Sequence, residues 1–161
     1  MKKVVCVSGG FDPIHVGHVR MIQEAAALGD ELVVIINNDH WLRKKKGYVF
    51  MPQDQRREII EGLKGVTRSV FTSHELNDED RSVCRELREI RPDIFANGGD
   101  RKPDGDPVPE VAVCDELGIE MVYNVGQGGK VQSSSWLTAE DRDTRECFCG
   151  SGEKYIDCHG T

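Results

Sequence analysis

The chain has 161 residues, with 38% hydrophobic and 30% charged, which is the composition of one folded domain with a real core and little left over. Its net charge of −7, from 21 basic and 28 acidic residues, argues against a main task of coating nucleic acid or an anionic membrane. The longest apolar runs are far too short to span a bilayer, and the few apolar residues after Met1 do not make a signal peptide, so the cytoplasm is the expected location. In chain order, residues 3–7 form a short β-branched run that predicts a buried strand, ending at Ser8-Gly9-Gly10. Val16, Val19, Ile22, Ala26 and Leu28 recur at helical spacing, and Gly29 stops that helix. A second strand is predicted over 31–37 and a helix over 54–63, with Pro52 ahead of it and Gly65 closing it. Strand 68–72, helix 81–90, strand 93–96, helix 109–117 and strand 120–124 follow.

Strictly alternating strands and helices with short connections imply an α/β fold: a Rossmann-like, open, mainly parallel sheet with helices on both faces. Ligands in such sheets bind beyond the carboxyl ends of the strands, so the loops after strands one, two and four are expected to hold the chemistry. The expected organisation is a main domain over 1–138, a charged linker over 139–146 and a cysteine-rich tail over 147–161.

The loop after strand one reads Gly9-Gly10-Phe11-Asp12-Pro13-Ile14-His15-Val16-Gly17-His18 and opens the first helix. A helix N-terminus offers unpaired N–H groups and a positive dipole end. His15 and His18, three residues apart, project from one face of that first turn, and glycines let a ligand approach the backbone. This combination suits a polyphosphate, although an ordinary turn with two solvent-facing histidines has the same spacing. Neither the P-loop pattern nor the dinucleotide fingerprint is present.

In the tail, Cys147-Phe148-Cys149-Gly150-Ser151-Gly152 is followed by Cys158-His159. Three thiolates and one imidazole suffice to close a tetrahedral zinc site, structural because it keeps no open position. Cys6, Cys84 and Cys114 lie singly in apolar or helical contexts and read as buried free thiols.

The first loop resembles the His-x-Gly-His signature of the cytidylyltransferase-like nucleotidyltransferases. Four further segments match in order: 28–34; Asn38-Asp39 through Lys46-Gly47, Pro52 and Arg56-Arg57; Arg91-Pro92-Asp93-Ile94 to Gly98-Gly99-Asp100; and Ser133-Ser134-Ser135-Trp136-Leu137. The chain looks most like the small alditol-phosphate type, which includes glycerol-3-phosphate cytidylyltransferase and the adenylyltransferase half of the heptose-nucleotide enzymes. The resemblance implies transfer of CMP or AMP from a nucleoside triphosphate to a phosphorylated sugar or alditol, with Mg²⁺ beside the phosphates and pyrophosphate released.

By that resemblance His15, His18 and Lys46 are catalytic, and Gly10, Phe11, Asp100, Ser133 and Ser134 join them in holding the nucleotide. Ser133 and Ser134 are also placed to cap a helix. Lys44 and Arg56 are the acceptor-side candidates, whereas Arg43 and Lys45 read as a solvated face and Arg57 as a surface residue. The family's arginine before the serine motif is missing from 127–132, and Lys130 cannot reproduce its fork. Arg101 after Asp100, in place of an aromatic residue, leaves ribose stacking open.

The tail resembles the SEC-C zinc motif, which implies zinc on Cys147, Cys149, Cys158 and His159 and a protein partner for the tail. Residues 139–161 carry six acidic and three basic side chains, which favours protein contact over direct nucleic-acid contact. Small members of the main family are commonly homodimers. A pantetheine-phosphate-type adenylyltransferase and a non-catalytic nucleotide-binding adaptor docked through its zinc tail are the alternatives.

Overall fold

A computed structural model describes residues 1–98, 108–126, 132–139, 144–147 and 149–158. Five parallel strands, β1 (Val4–Gly9), β2 (Glu31–Ile36), β3 (Arg68–Phe71), β4 (Ile94–Gly98) and β5 (Glu120–Val125), lie in the order β3-β2-β1-β4-β5. The predicted α/β class and alternation are borne out. Period-two alternation divides each central strand between two cores. Val5, Val7, Val34 and Ile36 face Ile22 and Ala25 of α1 (Val16–Ala26) and Ile60 of α3 (Gln53–Glu61). Cys6, Val33, Ile35 and Phe95 face Leu87 of α4 (Cys84–Ile90) and Val113 of α5 (Pro109–Leu117). Each such fully buried side chain contributes roughly 1.5–3 kcal/mol.

The strand order reverses between β1 and β4, so the crevice at their carboxyl ends is the switch point, and the β1–α1 loop forms one wall of it. Cys6 and Cys114 are buried thiols as expected, Cys84 is half-buried, and all six cysteines are free. Among the described residues, no helix is long and apolar enough to cross a membrane.

Three departures from the predicted elements have local causes. β1 runs on to Gly9 because Ser8 and Gly9 pair with Ile35 and Ile36, and the Gly9 carbonyl accepts from Asn37 N–H (2.9 Å). The helix predicted from 81 begins at Cys84, because the Ser82 hydroxyl donates to Asp80 and accepts from Cys84 N–H, which holds the preceding backbone in turns. The basic run 43–46, where no element is predicted, lies in the helix α2 (Asp39–Lys46), capped by the Asn38 side chain on Trp41 N–H and ended by Gly47 at φ 82°. Its four cations sit in the last turn, where the helix dipole favours them.

Candidate active site

The β1–α1 loop bends at Phe11, which takes φ 53° and turns its ring back under Gly9. A Cβ on Gly9 would come within 3.0 Å of that ring, so the glycine is a packing requirement. A left-handed non-glycine residue carries roughly 1–3 kcal/mol of strain, a feature that gathers at functional sites. The Phe11 ring then meets His18 edge-on, with centroids 4.9 Å apart.

His15 and His18 form a reciprocal cap on α1. His15 Nδ1 accepts from Gly17 N–H (3.1 Å), and His18 Nδ1 accepts from His15 N–H (3.2 Å). The rings stack at 3.8 Å and 24°. Because both Nδ1 lone pairs face backbone donors, each neutral ring carries its proton on Nε2, on the side away from the cap. Burial, with help from His15 and Lys46, pushes His18 down to about 3. His18 is therefore a neutral N–H donor through the physiological range, suited to a phosphate oxygen.

That shift has a consequence for stability. The unfolded chain binds a proton at His18 below about 6.5 and the folded chain does not, so the folded state loses ground as pH falls from 6.5 toward 3. In urea unfolding, the wild type is expected to lose roughly 1 kcal/mol per pH unit more than His18→Asn between pH 6.5 and 4.5. Parallel pH profiles for the two proteins would show that His18 is not buried neutral.

Three other elements converge on the loop. Lys46, the last residue of α2, donates from Nζ to the Asp12 carbonyl (2.6 Å), and burial lowers its affinity for a proton. Ser134 Oγ donates to the Pro13 carbonyl (2.8 Å), bringing the serine motif to the same loop. The Asp12 carboxylate, 1% exposed, accepts from Phe50 N–H (2.8 Å) and Met51 N–H (2.5 Å), tying the loop to the α2–α3 connection.

Arg56 corrects the expectation that it meets the acceptor. Its side chain is fully buried, and its guanidinium donates to the carbonyls of Met51, Gly10 and Asn37 and to the Asp39 carboxylate, at 2.6–2.9 Å. Four of its five N–H groups thus brace the loops, which makes it structural. Lys44 is likewise not brought to the loop: its Nζ donates to the Asn77 carbonyl (2.9 Å). Ser133 holds the N-cap position of the short helix α6 (Ser134–Leu137), yet its hydroxyl pairs with Ser135 Oγ (3.1 Å) and makes no capping bond. Asp100, Lys130 and His159 lie outside the described residues.

Sequence reasoning gave Asp12 no role, although it stands inside the first motif. The partners of its carboxylate are the backbone N–H groups of Phe50 and Met51, which leave no signal in a residue pattern. A cleft of about 460 Å³ lies between the starts of α2 and α3, lined by Asn38, Asp39, His40, Arg43, Gln53 and Asp54. Its two carboxylates make it a poor receptor for a phosphate.

In the tail, the Sγ atoms of Cys147, Cys149 and Cys158 all lie within 4.8 Å of one another, with Cys149 and Cys158 at 3.6 Å. Tetrahedral zinc with bonds of about 2.3 Å needs sulfurs roughly 3.8 Å apart, so the three thiols fit such an ion. Gly150 and Gly152, at φ 79° and 78°, make the knuckle turn between them. The Ser151 hydroxyl and backbone, with the neighbouring thiols, pull Cys149 down to about 6. Although the Ser151 hydroxyl favours its thiolate, hydrogen bonds with Cys147 and Cys149 hold the Cys158 proton and push that thiol up to about 11.

The family model described as cytidylyltransferase-like matches residues 6–116. A protein named FAD synthase from Ferroglobus placidus is 42% identical over 101 residues, covering 63% of this chain and 61% of that protein. Bifunctional protein HldE of Desulfatibacillum aliphaticivorans is 32% identical over 75% of this chain but 24% of its own length. The solved structure of the lipopolysaccharide core biosynthesis protein from Thermoplasma volcanium superposes with a TM-score of 0.62 at 25% identity, covering 80% of this chain and all of that one. This chain thus spans about three fifths of the first relative and a quarter of the second. With the first motif and the parallel sheet in place, the chain belongs to the cytidylyltransferase-like family of nucleotidyltransferases.

Proposed function

We propose that the chain transfers an adenylyl group from ATP to a small phosphorylated acceptor. An acceptor phosphate oxygen attacks the α-phosphorus in line, the α–β bridging bond breaks, and pyrophosphate leaves. The observation that carries this reading is the capped pair His15 and His18, neutral in the case of His18 and set beside Lys46 at a helix N-terminus. Their Nε2–H groups donate to oxygens of the reacting phosphorus, Lys46 Nζ meets the leaving phosphates, and Ser134 and the N–H groups of Gly10 and Phe11 complete the cradle. Mg²⁺ accompanying the triphosphate would supply further charge stabilisation at the leaving phosphates, while the Asp12 carboxylate, which accepts from two backbone donors, would hold the loop.

The relative named FAD synthase supports adenylyl over cytidylyl transfer: FAD is AMP joined to a flavin monophosphate by one anhydride bond between their two phosphates. The same likeness supports a phosphorylated acceptor. The test is pyrophosphate release from each of the four nucleoside triphosphates against flavin mononucleotide, sugar 1-phosphates, alditol phosphates and phosphopantetheine. Release with ATP and one acceptor is expected. Release with CTP alone overturns the adenylyl assignment, and no release with any pair overturns the reading as an enzyme.

We infer further that the tail binds one structural zinc through Cys147, Cys149, Cys158 and His159. Metal analysis is expected to find about one zinc per chain in the wild type and a strong loss in Cys149→Ser. Equal zinc contents in the two would contradict the site.

A further inference from the structure

Among the described residues of the tail, Tyr155 is the one that bonds to Lys46. Tyr155 opens the short helix α7 (Tyr155–Cys158), which carries the last thiol of the cluster. It is 4% exposed, and its N–H donates to the Arg145 carbonyl (2.9 Å), closing a small hairpin with the Glu146–Lys154 bridge and the Cys147 N–H bond to the Glu153 carbonyl (2.7 Å). The Tyr155 ring meets Tyr48 edge-on at 5.4 Å, and the Arg145 guanidinium lies 3.6 Å from one ring centre and 4.5 Å from the other. Tyr48 in turn donates to Thr138 Oγ1 (3.1 Å). The Tyr155 hydroxyl donates to the carbonyl of Lys46.

That carbonyl belongs to the last turn of α2, where carbonyls have no partner inside the helix. Tyr155 supplies the donor from 109 residues away in sequence. Lys46 is thereby held at both ends, its carbonyl by the tail and its Nζ on the Asp12 carbonyl of the histidine loop. A hairpin this short has too little core to hold its shape without a crosslink, so the seat of Tyr155 depends on what closes the thiol cluster.

We propose that Tyr155 is a positioning residue: with a metal closing the thiol cluster, it clamps the end of α2 and sets Lys46 for the triphosphate. Loss of the metal then reaches the active site through one hydroxyl. This rests on the reading of Lys46 as a phosphate contact, but the clamp itself can be measured without nucleotide. The experiment is hydrogen exchange by mass spectrometry on the full, zinc-loaded chain, followed at the segment 43–51 with 31–37 as an internal reference.

Chelation of the wild type and Tyr155→Phe are each expected to speed exchange at 43–51 about three- to ten-fold, with 31–37 unchanged. Added Zn²⁺ restores the wild type and not the variant. Tyr155→Phe keeps the ring contacts and the wild-type zinc content, and its KM for the triphosphate rises about three- to ten-fold with kcat within about two-fold. Equal exchange at 43–51 in zinc-loaded wild type and Tyr155→Phe overturns the proposal, as does exchange there that ignores chelation. A wild type that turns over no triphosphate defeats the nucleotidyl-transfer reading instead, and the exchange result still decides the clamp.

Discussion

His18→Asn is expected to slow pyrophosphate release about 10²–10³-fold while changing stability by less than about 1 kcal/mol. The asparagine Oδ1 takes the place of Nδ1 and still accepts from His15 N–H, so the reciprocal cap on α1 survives. What disappears is the donor on the far side of the ring, aimed at charge that develops in the transition state. His18→Gln is the complementary change. Its amide N–H reaches the Nε2 position but loses the cap, so it keeps more of the rate and less of the stability. Single-turnover kinetics with urea unfolding on both variants separate the two roles. An asparagine variant with a rate within three-fold of wild type would remove His18 from the chemistry.

Arg56→Ala is expected to lose about 3–5 kcal/mol of stability, a fall in Tm on the order of 10 °C. Truncation leaves the carbonyls of Gly10, Asn37 and Met51 short of a donor and the Asp39 carboxylate without its partner, all around a vacated volume. Arg56→Lys is expected to recover little, since a single ammonium cannot reach four acceptors spread around a planar fork. Thermal unfolding of both variants checks this. A loss below about 1 kcal/mol, joined to a KM effect confined to the acceptor, would restore Arg56 to the acceptor side.

The two readings of Arg56 show where sequence stops short. Short apolar, β-branched runs and glycine stops placed all five strands because those signals are local and each strand faces a core on both sides. His15, His18 and Ser134 were legible for the same reason: they stand at the ends of predicted elements, and the fold carries those ends to one crevice. Arg56 looks the same in sequence whether its guanidinium faces water or four carbonyls, because its partners come from residues 10, 37, 39 and 51. The basic run 43–46 hid a helix, since four adjacent cations mask a pattern in which only Leu42 is buried. Tyr155 was invisible as part of the site. Its partner is a backbone carbonyl far away in the chain, and a carbonyl leaves no trace in a residue pattern.

The account turns on His18 being a neutral Nε2–H donor at a triphosphate site. Its most direct test is ¹⁵N spectroscopy of the imidazoles, recorded across pH 5–8 with and without Mg²⁺ and a non-hydrolysable ATP analogue. The account predicts that His18 Nδ1 stays unprotonated and Nε2 stays protonated across that range, and that the nucleotide shifts the Nε2–H signal. A His18 that titrates near 6.5, or a ring that ignores every nucleotide offered, would contradict it.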